Sequence, residues 1–299
     1  VPENSFTLPS FAKINWLLRV WGKRDDGYHE LCTVFQTVSL HDDIYFAESE
    51  EIVLTCDNPQ IPCDESNLIV KAANILRERF DVKKGAGIHL TKRIPAPGGL
   101  GGGSSNAATA LLGLARLWKI ENAENQLIEI GKNIGADVPF FFCGGTALGV
   151  GRGTEIMPLK DLTEKFLLII TPPVNVPTGE AFRRLGAPRL TNEKAKSILR
   201  ICRTAAENFD LRQTKLKNDF EASVFAAAPE IERVKNKLLE HGAIIALLSG
   251  SGASVFAVFD NQETRQATIK ATETEKHWRM FAVTTTSRDE FRAALKLAR

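Results

Sequence analysis

Residues 98–105 read GGLGGGSS, and this stretch constrains the fold of the chain more than any other. Several residues without Cβ in succession let consecutive backbone N–H groups turn inward on an anion. Ser104 and Ser105 add hydroxyls at its end. The stretch lies between a strand expected at 87–92 and a helix expected at 107–118, where Ala107, Leu111, Leu114 and Trp118 share helical spacing. A helix N-terminus beyond a glycine loop adds partial positive charge, so residues 94–106 are predicted to cradle phosphate. No Lys-Ser/Thr pair follows the glycines and no G-x-G-x-x-G can be read, so the two best-known nucleotide folds lose their support. A linker, or a tight turn for close helix packing, is the alternative for a glycine-rich segment. The helix that follows and its serines favour phosphate.

The surrounding pattern mixes strands and helices. Runs at 11–21, 31–40, 43–48 and 52–55 carry β-branched and aromatic residues between turn signals and read as strands. Residues 67–80 read as a helix with Leu68, Ala72, Ile75, Leu76 and Phe80 on one face, and 125–134 as another, ended by Gly135. Residues 140–150 read as strand and turn. A strand at 166–171, a turn at 172–179 and helical stretches to about 241 follow. Strands at 243–248 and 254–259 flank a second small-residue turn, 249–253. At 299 residues the chain exceeds the usual single core. The expected architecture is α+β in two domains, 1–160 and 161–299, with the last strand a candidate to return to the first.

Composition narrows the function classes. Lys and Arg number 38 against 36 Asp and Glu, for a net charge of +2, without the excess of a dedicated nucleic-acid binder. The apolar run at 166–170 is far too short to span a bilayer. Residues 1–10 resemble no targeting peptide, although a removed transit peptide would leave no trace. These features predict a soluble, cytoplasmic protein with no nucleic-acid or membrane partner. The five cysteines form no CxxC pair, so buried free thiols in a reducing compartment are expected.

Five segments carry a resemblance: PSFAKIN at 9–15, GYHEL at 27–31, PAPGGLGGGSSNAA at 95–108, GADVPFF at 135–141 and SGSGASVF at 249–256. In this order they resemble the GHMP kinase superfamily. The resemblance implies a ribosomal protein S5 domain 2-like N-terminal domain and a ferredoxin-like C-terminal domain, with the active site between them. It implies ATP with Mg2+ as phosphoryl donor and a hydroxyl as acceptor. AKIN, DGYH and GADVPFF separate one subgroup from mevalonate, homoserine and galactose kinases. Its substrate is a cytidine-diphosphate-linked polyol, phosphorylated on its 2-hydroxyl on the non-mevalonate route to isoprenoids. A monomer or weak homodimer is expected.

Roles follow from the resemblance. Asp137 is the catalytic base and Lys13 its partner. Pro97, Gly98, Gly99, Leu100, Gly101, Gly102, Gly103, Ser104 and Ser105, with Asn67 and Lys92, line the ATP pocket. Asn15, Tyr28, His29, Thr178, Phe182, Gly250, Ser251 and Gly252 meet the substrate, with Tyr28 and Phe182 stacking on cytosine and His29 reading its edge. No carboxylate cluster marks a dedicated metal cage, which leaves Ser105 as the hydroxyl nearest to magnesium. Pro97 stands where the family more often has glycine, which stiffens the first turn.

Each role has a plainer counterpart. Lys13 and Asp137 sit among apolar or small neighbours, where charge is rarely buried unless paired, and a structural ion pair would also suit them. Tyr28 could pack beside a turn and His29 lie on the surface. Asn67 could cap a helix, Lys92 be a solvated strand end, and residues 250–252 a plain hairpin turn. A catalytically silent ligand sensor on the same scaffold is the competing function, and such relatives usually lose the base that this chain keeps.

Overall fold

Long runs of β-branched and aromatic residues open the chain. In the computed structural model, which describes residues 4–190, 192–207, 209–211 and 214–297, they build a six-stranded sheet. β1 (Phe6–Lys23) and β2 (His29–Ser49) pair antiparallel almost end to end. β2 also pairs with β4 (Gly85–Thr91) through its second half and with β5 (Thr146–Gly151) through its first. β3 (Ile52–Cys56) runs parallel to β4 at one edge, and β6 (Glu155–Pro158) closes the other. One face of this sheet carries α1 (Leu68–Arg79), α2 (Gly102–Leu117), α3 (Glu124–Ile134) and the single turn α4 (Phe140–Cys143).

A second sheet of four antiparallel strands packs against the other face, in the order β10, β7, β9, β8. Its strands are β7 (Leu167–Thr171), β8 (Ile245–Leu248), β9 (Val255–Val258) and β10 (Arg279–Val283). Alternation of side chains explains this burial on both faces. Leu167, Ile169, Phe256 and Val258 join Ile14, Trp16 and Val34 of the first sheet. Leu168, Ile170, Val255 and Ala257 face α7 (Glu221–Ala227) and α8 (Pro229–Glu240) in a separate core. The remaining helices are α5 (Thr178–Arg184), α6 (Asn192–Glu207), α9 (Gln262–Thr272) and α10 (Arg288–Ala294). β10 ends the second sheet, and α10 then carries Phe291 back to the core of the first.

Local departures from the sequence reading have physical causes. The strands expected at 31–40 and 43–48 are one strand, because the polar His41 and Asp42 keep pairing with Phe11 and Ser10. The aromatics at 140–142 form a helical turn rather than strand, set off from β5 by Gly144 and Gly145 at positive φ. α2 begins at Gly102, five residues before the apolar spacing starts. Ile75, expected on the buried face of α1, is exposed. All five cysteines are free, but only Cys32 and Cys202 are buried, and Cys63 is exposed. Among the described residues no helix is long and apolar enough to cross a membrane.

The Trp16 and Phe256 rings meet edge to face at 5.2 Å in the core between the sheets. Phe256→Ala should therefore cost about 3–5 kcal/mol of unfolding free energy, read by urea denaturation; a loss below about 1 kcal/mol would show that the sheets do not depend on this contact.

Candidate active site

Strand alternation sets the geometry around Lys13. Ala12, Ile14 and Trp16 of β1 point into the core between the sheets, so Lys13 and Asn15 project from the opposite face, towards the glycine loop. Lys13 is almost fully buried. Its ammonium donates to Asn15 Oδ1 at 2.8 Å and to the Gly99 carbonyl at 3.0 Å, and lies 3.4 Å from Asp137 Oδ2. Asn15 is oriented in turn by donating to Thr33 Oγ1 at 2.7 Å. Asp137 sits in the turn between α3 and α4, and a third of its side chain is open to the cleft. The sequence motifs that supply Lys13, Asn15 and Asp137 thus meet at one point.

The glycine loop wraps around this point. Gly101 adopts a left-handed conformation as N-cap of α2, with no side-chain cap, so the N–H groups of Gly102, Gly103 and Ser104 have no partner within the helix. All three residues line the cleft. A Cβ at Gly99, where φ is +71°, would lie 2.1 Å from the Ser249 carbonyl oxygen. That close approach binds the loop to the β8–β9 turn: Ser249 Oγ donates to the Gly99 carbonyl at 3.0 Å and the Ser254 N–H to Gly98 at 3.1 Å. Asn218, which sequence reasoning missed, holds the same turn by donating to the carbonyls of Leu248 and Gly250.

The cleft has a volume of about 860 Å³, within the range of small-molecule sites. Pro97, Gly98 and Leu100 line it beside the amides, and Gly250 and Ser251 close it from the second sheet. At its far end stand Tyr28 and His29 of the β1–β2 hairpin and Thr178 and Phe182 of α5. The His29 and Phe182 rings stack at 4.7 Å, and Thr178 Oγ1 shares a hydrogen bond with Ser251 Oγ at 3.0 Å. Burial, aided by the charge of Lys23, holds the His29 imidazole below its ordinary pKa, so it is neutral near pH 7.

Four expected residues are placed otherwise. Asn67 caps α1, accepting from the Ile69 N–H at 2.9 Å, and does not line the cleft. Lys92 is not a solvated strand end: its side chain is buried, with the ammonium 2.5 Å from Asp42 and beside Gly102, where a Cβ would lie 3.1 Å from it. Burial pulls its ammonium pKa down, with Asp42 opposing. Ser105 accepts from Ser10 Oγ at 2.8 Å inside the protein, which leaves Ser104 as the loop hydroxyl facing the cleft. Gly252 lies behind Gly250 and Ser251, beyond the lining. Asp42 also went unread; it accepts from Lys92, Asn106 and the Arg93 and Ile94 N–H groups at 2.5–2.9 Å. It gave no sequence signal, since residues 41 and 42 read as a gap between two strands. Among the described residues no group of three or more His, Cys, Asp or Glu side chains is arranged to hold a metal ion.

Comparison with known proteins bears on this arrangement. The family model for the GHMP kinase N-terminal domain matches residues 67–145, and that for the GHMP kinase C-terminal domain matches 194–274. The chain is 40% identical over 267 residues to 4-diphosphocytidyl-2-C-methyl-D-erythritol kinase of Thermodesulfovibrio yellowstonii, covering 88% of this chain and 93% of that one. It is 41% identical over 260 residues to the protein of the same name from Protochlamydia amoebophila, covering 86% of each. A crystal structure of 4-(cytidine 5'-diphospho)-2C-methyl-D-erythritol kinase superposes with a TM-score of 0.75 at 29% identity, covering 94% of this chain and all of that one. With the motifs, the cleft and these relatives in agreement, the chain belongs to the 4-diphosphocytidyl-2-C-methyl-D-erythritol kinases of the GHMP kinase superfamily.

Proposed function

We propose that the protein transfers the γ-phosphoryl group of ATP to the 2-hydroxyl of 4-diphosphocytidyl-2-C-methyl-D-erythritol, on the non-mevalonate route to isoprenoids. The observation that carries this is the meeting of Lys13 and Asp137 at 3.4 Å beside the uncapped N-terminus of α2. Phosphoryl transfer needs little covalent help from a protein beyond positioning, charge stabilisation and a group to take the hydroxyl proton. Asp137 is the acceptor of that proton. Lys13, fixed by Asn15 and Gly99, supplies positive charge to the developing alkoxide and the transferring group. The amides of Gly102, Gly103 and Ser104, at the positive end of α2, hold the ATP phosphates.

The group implied beyond the nucleotide is Mg2+, which would neutralise phosphate charge. The donor set suits a metal carried mainly by the phosphates, and Ser104 is the loop hydroxyl that would hold it. At the other end of the cleft Tyr28 and Phe182 offer ring faces to cytosine. A neutral His29 presents one donor and one acceptor, which suits the alternating edge of that base. The division into domains near residue 160 is proposed on the same basis, since β7 opens the second sheet just beyond it.

The direct test is ADP release with the cytidine substrate against mevalonate, homoserine and galactose. Activity on the first alone is expected; activity only on another alcohol would reassign the acceptor. Asp137→Asn should lower kcat by about 10²–10⁴-fold, the range of a positioned general base, while cytidine diphosphate binding stays within a few-fold. Near-normal turnover would remove Asp137 from the chemistry. Because the His29 pKa lies below 6.5, cytidine diphosphate affinity should be level from about pH 8 to 6.5 and fall at lower pH as the ring gains a second donor. Calorimetry on the protein and on His29→Asn checks this, and a fall that survives the substitution assigns it to another group.

A further inference from the structure

We infer that Arg152 is a positioning residue for the cytidine end of the cleft: carried on the β5–β6 turn, its guanidinium ties the Tyr28 ring to the first sheet. The inference rests on the proposed role of Tyr28 in stacking on the base. Arg152 and Gly153 line the same cleft as Tyr28, His29 and Phe182. The Arg152 guanidinium carbon lies 4.5 Å from the centroid of the Tyr28 ring, within the range of a cation–π contact.

Tyr28 needs such a tie. It is 54% exposed, at the tip of the β1–β2 hairpin, directly after Gly27 at positive φ. A ring in that setting has many orientations open to it, and ordering it on binding would subtract from affinity. The hairpin backbone is braced from within. Arg24 reaches Glu30 at 2.6 Å and Asp26 at 3.2 Å, and the Asp26 carboxylate accepts from the Tyr28 N–H at 3.1 Å. These contacts fix where the ring starts, but not how it stands. Arg152 comes from a different strand pair, between Gly151 and Gly153, both at positive φ in a tight turn. It is also close enough to Asp26 that, with the Tyr28 N–H and Arg24 and against the opposing effect of burial, it helps hold that carboxyl below its usual range. Arg152 thus answers both the ring and the acid beneath it, which leaves the other face of Tyr28 to a base.

The same guanidinium could instead grip a ligand phosphate directly, and a double-variant cycle separates the two. Calorimetry with cytidine diphosphate, and separately with ADP, is run on the whole protein, Arg152→Ala, Arg152→Lys, Tyr28→Leu and the Arg152→Ala/Tyr28→Leu pair. The inference expects Arg152→Ala to weaken cytidine diphosphate about tenfold, with ADP affinity held and part of the loss recovered in Arg152→Lys. In the Tyr28→Leu background Arg152→Ala should add less than about twofold. A full tenfold effect there would mean that Arg152 acts on the ligand itself, and would overturn the inference. An unchanged Arg152→Ala would also overturn it, while leaving the cytidine assignment intact. Failure of the unmodified protein to bind cytidine diphosphate would overturn both.

Discussion

The site depends on one buried ammonium. Lys13 is 2% exposed, and a charge taken so far from water is tolerated only when it is paired and hydrogen-bonded. Its partners come from three places: Asn15 on the same strand and the Gly99 carbonyl in the loop accept hydrogen bonds, and Asp137 in the turn before α4 pairs with it at 3.4 Å. Each of those segments is therefore held where the ammonium can reach it. The Gly99 carbonyl is shared with Ser249, so the second sheet is drawn to the same point. The geometry around Lys13 and the packing of the two sheets then rest on the same few polar contacts.

A second buried pair holds the approach to the loop. Asp42 is fully buried and accepts from the Lys92 ammonium, the Asn106 amide and two backbone N–H groups. Those partners lie on both sides of the glycine run, so one carboxylate fixes its start and its end while the glycines between stay free to curve. Removing either member of such a pair would strand the other's charge, which is why neither can change alone. Through this pair the Lys92 ammonium is held beside Gly102, where a Cβ would lie 3.1 Å from it, at the start of α2.

Part of this was legible in the sequence. Strand, glycine loop and helix could be read at 87–118 because periodicity and Cβ-free residues are local signals. The helix start could not, since Gly102 to Ser105 have low helix propensity and enter α2 for the sake of its N-terminus. Lys13 and Asp137 were visible as misplaced charges, but only the family resemblance joined them across 124 positions of sequence. Thr33, Asn218 and Arg152 gave no signal, because their roles come from register and from loops meeting across sheets. The placing of Lys92 has the same origin: a residue next to a motif can pair inside the protein or stand in solvent, and the sequence does not show that Asp42 meets it.

The two ends of the cleft differ in how they are held, and this bears on how one scaffold can serve different alcohols. At the phosphate end the groups are backbone amides and buried side chains, where a new Cβ at Gly99 would meet a carbonyl at 2.1 Å. Substitution there disturbs the core and the chemistry together. The end proposed for cytidine is built from a hairpin tip and a seven-residue helix, with Tyr28 more than half exposed. Exposed positions of this kind can change at little cost in stability. On the proposed roles, acceptor specificity can therefore shift at the exposed Tyr28 without moving Lys13 or Asp137, so the transfer step and the choice of alcohol are separable properties of this fold.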